Sequence, residues 1–253
     1  MPQPKPATFV PSGSAPFRYV EKSCPRTSNL DLLTYGVYEL EGTVRSGAIA
    51  HPDEESLIFC WRGAAGVILS GAAYALSAYD VLYVPRGAGY RFEQESGSSR
   101  LVICRAPAEK THPAFHARWS EFSRQERRIR RLKGKDVYLM FDVSEPADKL
   151  IAGFTLFQPG QRSWPPHNHT DQEEIYIFTK GRGAMEVYAD EQAKSFVTSV
   201  SEGDAVTIPI LNYHPVFSQE QELHFIWCIA GKRYWVGDKN KDFIDAKVDK
   251  LTT

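Results

Sequence analysis

One pattern occurs twice in this chain, and nothing else restricts its architecture as much. His51-Pro-Asp-Glu-Glu-Ser-Leu-Ile-Phe-Cys-Trp-Arg-Gly63 returns in kind and order as His169-Thr-Asp-Gln-Glu-Glu-Ile-Tyr-Ile-Phe-Thr-Lys-Gly181, with 169 − 51 and 181 − 63 both giving 118. Farther on, Asp80-Val-Leu-Tyr-Val-Pro85 matches Asp204-Ala-Val-Thr-Ile-Pro209, and 204 − 80 gives 124. Two copies of one supersecondary unit in tandem would produce this pattern. The units should be built from strands, because short runs rich in Val, Ile, Tyr and Phe recur between Gly, Pro and Asp. The runs are Leu33–Leu40, Leu57–Arg62, Val81–Val84, Leu101–Ala106, Val137–Phe141, Ile151–Phe157, Ile175–Lys180, Met185–Tyr188, Ala205–Ile208 and Leu223–Ile229. Many short strands at this spacing point to barrels or sandwiches. The stretch 112–135 is polar, charged and poor in β-branched residues, so it is expected to be a connector, partly helical over Ala114–Leu132. The expected division is therefore an N-terminal barrel over 1–111, a connector over 112–135 and a C-terminal barrel over 136–253.

Composition removes several function classes. Thirty Lys and Arg against thirty-one Asp and Glu leave a net charge of −1, which gives no general attraction to nucleic acid or anionic membranes. The basic stretch Arg124–Lys135 has no interleaved aromatics and is expected to pair with acidic surface. Ala64–Leu76, the longest mostly apolar stretch, is interrupted at Ser70 and Gly71 and is too short to span a bilayer. Met1-Pro-Gln-Pro-Lys-Pro-Ala lacks an apolar core of the secretory type, so the cytoplasm is the expected compartment. Cys24, Cys60, Cys104 and Cys228 form no Cys-x-x-Cys pair, and Cys60 and Cys228 lie in apolar runs, as reduced buried thiols do.

The chemistry lies in the second copy. His167 and His169 are two apart, so on extended backbone both rings face the same way. A Glu-Glu pair follows at 173–174, and His214 closes the segment Gly203–His214. Three imidazoles and a carboxylate suit one divalent transition ion, Zn, Mn, Fe, Co or Ni, with coordination positions left for a substrate. Strand parity alone does not choose between Glu173 and Glu174. At the corresponding places the first copy carries Ile49, His51, Ser56 and Tyr90, one donor out of four, so it cannot hold such an ion.

Gly160-x6-His167-x-His169-x4-Glu174-x6-Gly181, with Gly203-x5-Pro209-x4-His214 downstream, resembles the paired motifs of the cupin superfamily. The wider context (Ala147–Phe154, Pro159-Gly160, Ser163-Trp-Pro-Pro-His-Asn-His169, Glu173-Glu-Ile-Tyr176 and Tyr213-His-Pro-Val216) is similar to the 5-deoxy-glucuronate and 5-keto-4-deoxyuronate isomerases. Asn168 and Thr170 stand where those proteins usually carry Lys and Asp. The resemblance implies a bicupin of two jelly-roll barrels, the first degenerate. It also implies a metal held by His167, His169, Glu174 and His214, and conversion of a deoxy-uronate aldose into a ketose. Inositol or related carbohydrate catabolism is the implied setting.

Such an isomerase needs groups that move a proton and groups that hold a sugar acid. Tyr176 and Glu173 are the candidates for proton transfer, and Tyr176, Phe178 and Lys180 should share the face of Glu174 by the period of two. Arg162, Lys180, Arg182 and Arg233 are candidate partners for a substrate carboxylate. Trp164 and Tyr213 are candidate pocket walls. The expected partner is a small sugar acid, with no nucleic acid or membrane, and the expected assembly is a homodimer. Three histidines and a glutamate also suit an Fe²⁺ dioxygenase, a decarboxylase or a non-catalytic sugar-binding cupin.

Overall fold

The computed structural model describes residues 16–163, 166–190 and 192–235. It is almost entirely β. The first ten strands are β1 (Phe17–Ser23), β2 (Thr34–Glu41), β3 (Val44–Arg45), β4 (Glu54–Arg62), β5 (Ala64–Leu69), β6 (Ala72–Ser77), β7 (Val81–Val84), β8 (Tyr90–Gln94), β9 (Ser98–Pro107) and β10 (Phe115–Ala117). They form a six-stranded sheet in the order β1-β2-β9-β4-β7-β10 and a four-stranded sheet in the order β3-β8-β5-β6. The remaining strands are β11 (Ile129–Leu132), β12 (Lys135–Phe141), β13 (Leu150–Phe157), β14 (Gln172–Lys180), β15 (Arg182–Val187), β16 (Phe196–Ser201), β17 (Ala205–Ile208), β18 (Val216–Ser218) and β19 (Leu223–Gly231). These form sheets in the orders β11-β12-β13-β19-β14-β17 and β16-β15-β18.

The repeat seen in the sequence governs the pairing. The inner order β2-β9-β4-β7 is matched by β13-β19-β14-β17. Register agrees residue by residue: Ser56 lies opposite Val84 and Arg105, and Glu174 lies opposite Ile208 and Ile229. The offsets are 174 − 56 = 118, 208 − 84 = 124 and 229 − 105 = 124, the same two seen in the sequence. Gly63 and Gly181, 118 apart, both take left-handed φ, +76° and +85°. A Cβ there would lie 2.2 Å from the Ser98 carbonyl oxygen in one copy and 2.0 Å from that of Glu222, 124 farther on, in the other. Only glycine accepts both the dihedral and that approach.

Each unit has its own core. In the first, Ile58 and Cys60 of β4 pack with Val67 and Leu69 of β5, Phe92 of β8 and Ile103 of β9. In the second, Tyr176 and Phe178 of β14 pack with Leu139, Phe157, Met185, Val187, Phe225, Trp227 and Ile229. Alternation along β14 thus fixes which residues line the interior, Glu174, Tyr176 and Phe178, and which lie on the opposite face, Glu173, Ile175 and Ile177. All four cysteines are buried and free.

The expected connector is helical over two short turns only. Its only α-helix among the described residues is one turn, Trp119–Phe122, followed by a 3₁₀ turn at Glu126–Arg128. The rest goes into the sheets: β10 pairs with β7 and β11 with β12. The stretch has no apolar stripe at helical period, so edge pairing competes successfully with helix propagation. Backbone contacts divide the chain between Arg124 and Gln125 and assign Ser144–Leu150 to the first unit. That assignment has a visible cause. The fully buried Glu55 carboxylate accepts the backbone N–H groups of Asp148, Lys149 and Leu150 at 2.8, 2.7 and 2.9 Å, and the Tyr83 hydroxyl at 2.7 Å.

Candidate metal centre

Three loops and strands of the second unit bring the expected donors together. His167 and His169 precede β14, Glu174 lies on it, and His214 ends the turn after β17. The two loops are joined by the Leu211 N–H, which donates to the His169 carbonyl at 2.6 Å. Leu211 adopts φ +62°, a conformation unfavourable for a branched side chain, beside the residue that presents His214. One ring nitrogen from each of His167, His169 and His214 falls within a common 4.8 Å span. Glu174 Oε2 lies 3.2 Å from His169 Nε2 and 3.1 Å from His214 Nε2. His169, Glu174 and His214 are buried, and His167 is half-buried.

The ring nitrogens show what the cluster is arranged for. His214 Nδ1 lies 2.9 Å from the Asn212 carbonyl oxygen, which has no proton, so Nδ1 carries the hydrogen. That leaves the Nε2 lone pair facing the cluster, the arrangement metal-ligating histidines use. His214 Nε2 is buried without a hydrogen-bond partner, an orphan that a cation would satisfy. The His167 imidazole is held well below its ordinary pKa, first by burial and then by the closeness of the ionisable His214, His169 and Lys135, which keeps it a neutral donor. Burial works to raise the Glu174 carboxyl, but the adjacent imidazoles of His169 and His214 outweigh it and hold its pKa below the ordinary value. Three neutral nitrogens and one anionic oxygen are a fitting donor set for a divalent transition ion, which these four residues would hold.

Around this cluster the expected residues separate. The Tyr176 ring meets that of His214 edge-on at 5.6 Å and stacks on Phe225 at 4.4 Å. Burial, then the Glu174 charge, push its hydroxyl pKa far up, so the phenol keeps its proton at neutral pH. Glu173, expected as a proton-transfer candidate, is buried on the opposite face of β14, because adjacent strand residues point to opposite sides. Its counterpart Glu55 (173 − 118 = 55) shows what a carboxylate on that face does: it binds backbone.

Lys180 does not follow the expected parity. A register irregularity between Phe178 and Lys180 turns it outward, where it pairs with Glu222 at 2.9 Å. Arg233 donates to the Asp142 carbonyl at 2.6 Å, Arg162 lies over the Phe217 ring at 4.8 Å, and Arg182 is exposed at the start of β15. Tyr213 stacks on Tyr188 at 5.6 Å, directly beside His214. Trp164 lies outside the described residues. Elsewhere in the basic stretch, Arg131 pairs with Glu126 and Asp136 at 3.0 and 3.1 Å. Sequence reasoning missed Lys135, whose charge acts on His167. The available signal was its spacing, two and four residues before the core-facing Val137 and Leu139.

The corresponding region of the first unit is built differently. His51, counterpart of His169, receives a hydrogen bond at Nδ1 from Arg105 at 2.7 Å. A guanidinium has only donors, so the imidazole proton is on Nε2, which donates to the Tyr90 hydroxyl at 3.3 Å. The Tyr90 and Tyr38 hydroxyls are 2.9 Å apart. Arg105 also reaches Glu54 at 2.6 Å and Glu21 at 3.2 Å. Burial, then the Arg105 charge, lower the His51 pKa from 6.5 to about 4.

Two sheets closing on an apolar interior, with three imidazoles and a carboxylate converging in one copy, define a two-unit cupin. The chain belongs to the KduI/IolB family, whose model matches residues 11–246. It is 28% identical over 184 residues to the 4-deoxy-L-threo-5-hexosulose-uronate ketol-isomerase of Opitutus terrae, covering 67% of this chain and 64% of that protein. It is 26% identical over 171 residues to the 5-deoxy-glucuronate isomerase of Listeria monocytogenes, covering 62% of each. The matched part thus spans less than two thirds of these relatives' own length. In fold it is similar to an IolB-like protein of Salmonella typhimurium (TM-score 0.71, 20% identity, 84% of this chain and 89% of that one). Oxalate decarboxylase of Bacillus subtilis is similar as well (TM-score 0.72, 14% identity, 96% and 82%). Among the described residues no helix is long and apolar enough to cross a membrane.

Proposed function

We propose that the protein is a metal-dependent aldose–ketose isomerase acting on a deoxy-uronate, of the kind that converts 5-deoxy-glucuronate to 2-deoxy-5-keto-gluconate. The observation that carries this is the meeting of His167, His169 and His214 with Glu174 inside an otherwise apolar unit. Membership of the KduI/IolB family and the names of the two relatives support the substrate class. His167, His169, Glu174 and His214 would hold a divalent ion, whose Lewis acidity would acidify the carbon next to a substrate carbonyl. The protein's own part begins with orientation. The Asn212 carbonyl fixes the His214 ring, and Glu174 is held between His169 and His214. The rings of Phe157, Phe225 and Trp227 exclude water and so strengthen every charge interaction within. Tyr176, kept protonated, donates a hydrogen bond to a substrate oxygen beside His214.

The test is conversion of 5-deoxy-glucuronate and of 4-deoxy-L-threo-5-hexosulose-uronate by purified protein loaded in turn with Mn²⁺, Zn²⁺, Fe²⁺, Co²⁺ and Ni²⁺. Turnover should be lost on chelation and restored by the ion, and Glu174→Gln should lower kcat/KM by about 10²-fold or more through the lost ligand. Full activity after exhaustive chelation would remove the metal from the mechanism. Absence of turnover on both sugars with every ion bound would remove the isomerase.

A further inference from the structure

We infer that Lys135 is the residue that receives the substrate's carboxylate, seating the acid end of the sugar while the cluster of His167, His169, Glu174 and His214 takes the carbonyl end. This rests on the isomerase reading above and adds the group that selects a sugar acid over a neutral sugar. Lys135 opens β12, and the residues two and four farther on, Val137 and Leu139, pack into the second unit's core. The alternation of the strand therefore aims the Lys135 stem at that interior, while Asp136 points the other way and pairs with Arg131. Across the ladder Lys135 lies opposite Phe157.

The ammonium is placed by an unbroken row of rings. Lys135 Nζ sits 5.3 Å from the centre of the Phe157 ring. Phe157 stacks on Phe225 at 5.9 Å, Phe225 on Tyr176 at 4.4 Å, and Tyr176 meets His214 at 5.6 Å. Among the described residues no carboxylate pairs with Lys135, and burial lowers its pKa to about 8. A lysine on an apolar wall without an internal counter-ion loses hydration that an incoming anion can replace. At neutral pH the group is still mostly protonated, and a bound carboxylate strengthens the charged form. The other cations considered for this role are committed elsewhere or exposed: Lys180 to Glu222, Arg233 to Asp142, Arg162 to the Phe217 ring and Glu186, and Arg182 to solvent.

The metal-loaded full chain and its Lys135→Met, Lys135→Gln and Lys135→Arg variants provide the test. Two quantities are measured: steady-state kinetics on a deoxy-uronate and on its neutral uronamide, and calorimetric binding of D-glucuronate against D-glucose. Lys135→Met should raise KM for the acid about 10–100-fold with kcat within about threefold, and should leave the amide's KM unchanged. Glucuronate affinity should fall by the same factor, Lys135→Arg should recover part of it, and bound metal should stay at one per chain. Equal losses on acid and amide, or unchanged KM and glucuronate affinity, would overturn the assignment. If Lys135→Met does not unfold cooperatively, Lys135→Gln, which keeps a polar end, is judged on the same readouts. If native protein converts neither sugar, the isomerase reading fails, but the glucuronate arm still decides for Lys135: binding that depends on the ammonium supports the site, and none refutes it.

Discussion

Replacing Arg105 with methionine should destabilise the protein strongly at neutral pH and less in mild acid. The guanidinium is nearly buried and donates to His51, Glu54 and Glu21, the last of which is 40% exposed. Removing one partner from a buried charge network costs about 3–5 kcal/mol, and water reaching Glu21 brings the expectation near 3 kcal/mol at pH 7. The acid effect comes from His51. In the native protein its pKa of about 4 lies below the ordinary 6.5, so the unfolded chain binds the extra proton and stability is lost as pH falls from 6.5 toward 4. At pH 5 that loss is about 1.36 × 1.5, or roughly 2 kcal/mol. Without Arg105 the principal opposing charge is gone and Glu54, 3.7 Å away, favours the imidazolium. Burial, the larger cause of the low pKa, remains, so the variant should escape only part of the penalty, and its deficit should shrink from about 3 to about 2 kcal/mol at pH 5. Urea unfolding of both proteins at pH 7 and pH 5 measures the deficit, and NMR titration of His51 gives the cause. A deficit that is equal or larger at pH 5, or a native His51 titrating near 6.5, would refute the reasoning.

Two further substitutions test the frame. Glu55→Gln removes the charged acceptor of three backbone N–H groups and should cost about 2–3 kcal/mol in urea unfolding, with metal content unchanged. Gly63→Ala and Gly181→Ala should each cost at least about 2 kcal/mol, because each combines left-handed φ with a carbonyl about 2 Å from the new methyl. Substitutions with little effect in the melting curve would show that the backbone relaxes at these turns.

Much of the second unit was legible because its chemistry and its fold use one pattern. The His-x-His pair, the glutamate ahead of Ile175–Phe178 and the Pro209-to-His214 spacing mark four side chains that the fold brings together, and all ten sequence-derived strands overlap observed ones. What was missed lacked a local signal. Phe17–Ser23 and Phe196–Ser201 interleave polar or charged residues with apolar ones and take their strand conformation from pairing partners. The irregularity that turns Lys180 outward depends on the opposing strand β19, which no stretch of β14 reveals. Glu173 and Glu174 are equivalent until a register exists. Lys135 was hidden by its neighbours, since it ends a basic run whose arginine Arg131 does belong to surface ion pairs.

The Arg105 network has a consequence for how the two copies depend on their surroundings. One copy keeps its internal positive charge covalently attached to its own backbone, so that charge is present as soon as the strands assemble. The other gathers ring nitrogens and an anion around a point that, on the proposed function, an ion from solution would fill. Ion starvation would therefore impair the C-terminal copy alone, while its N-terminal twin, self-sufficient in charge, kept its shape.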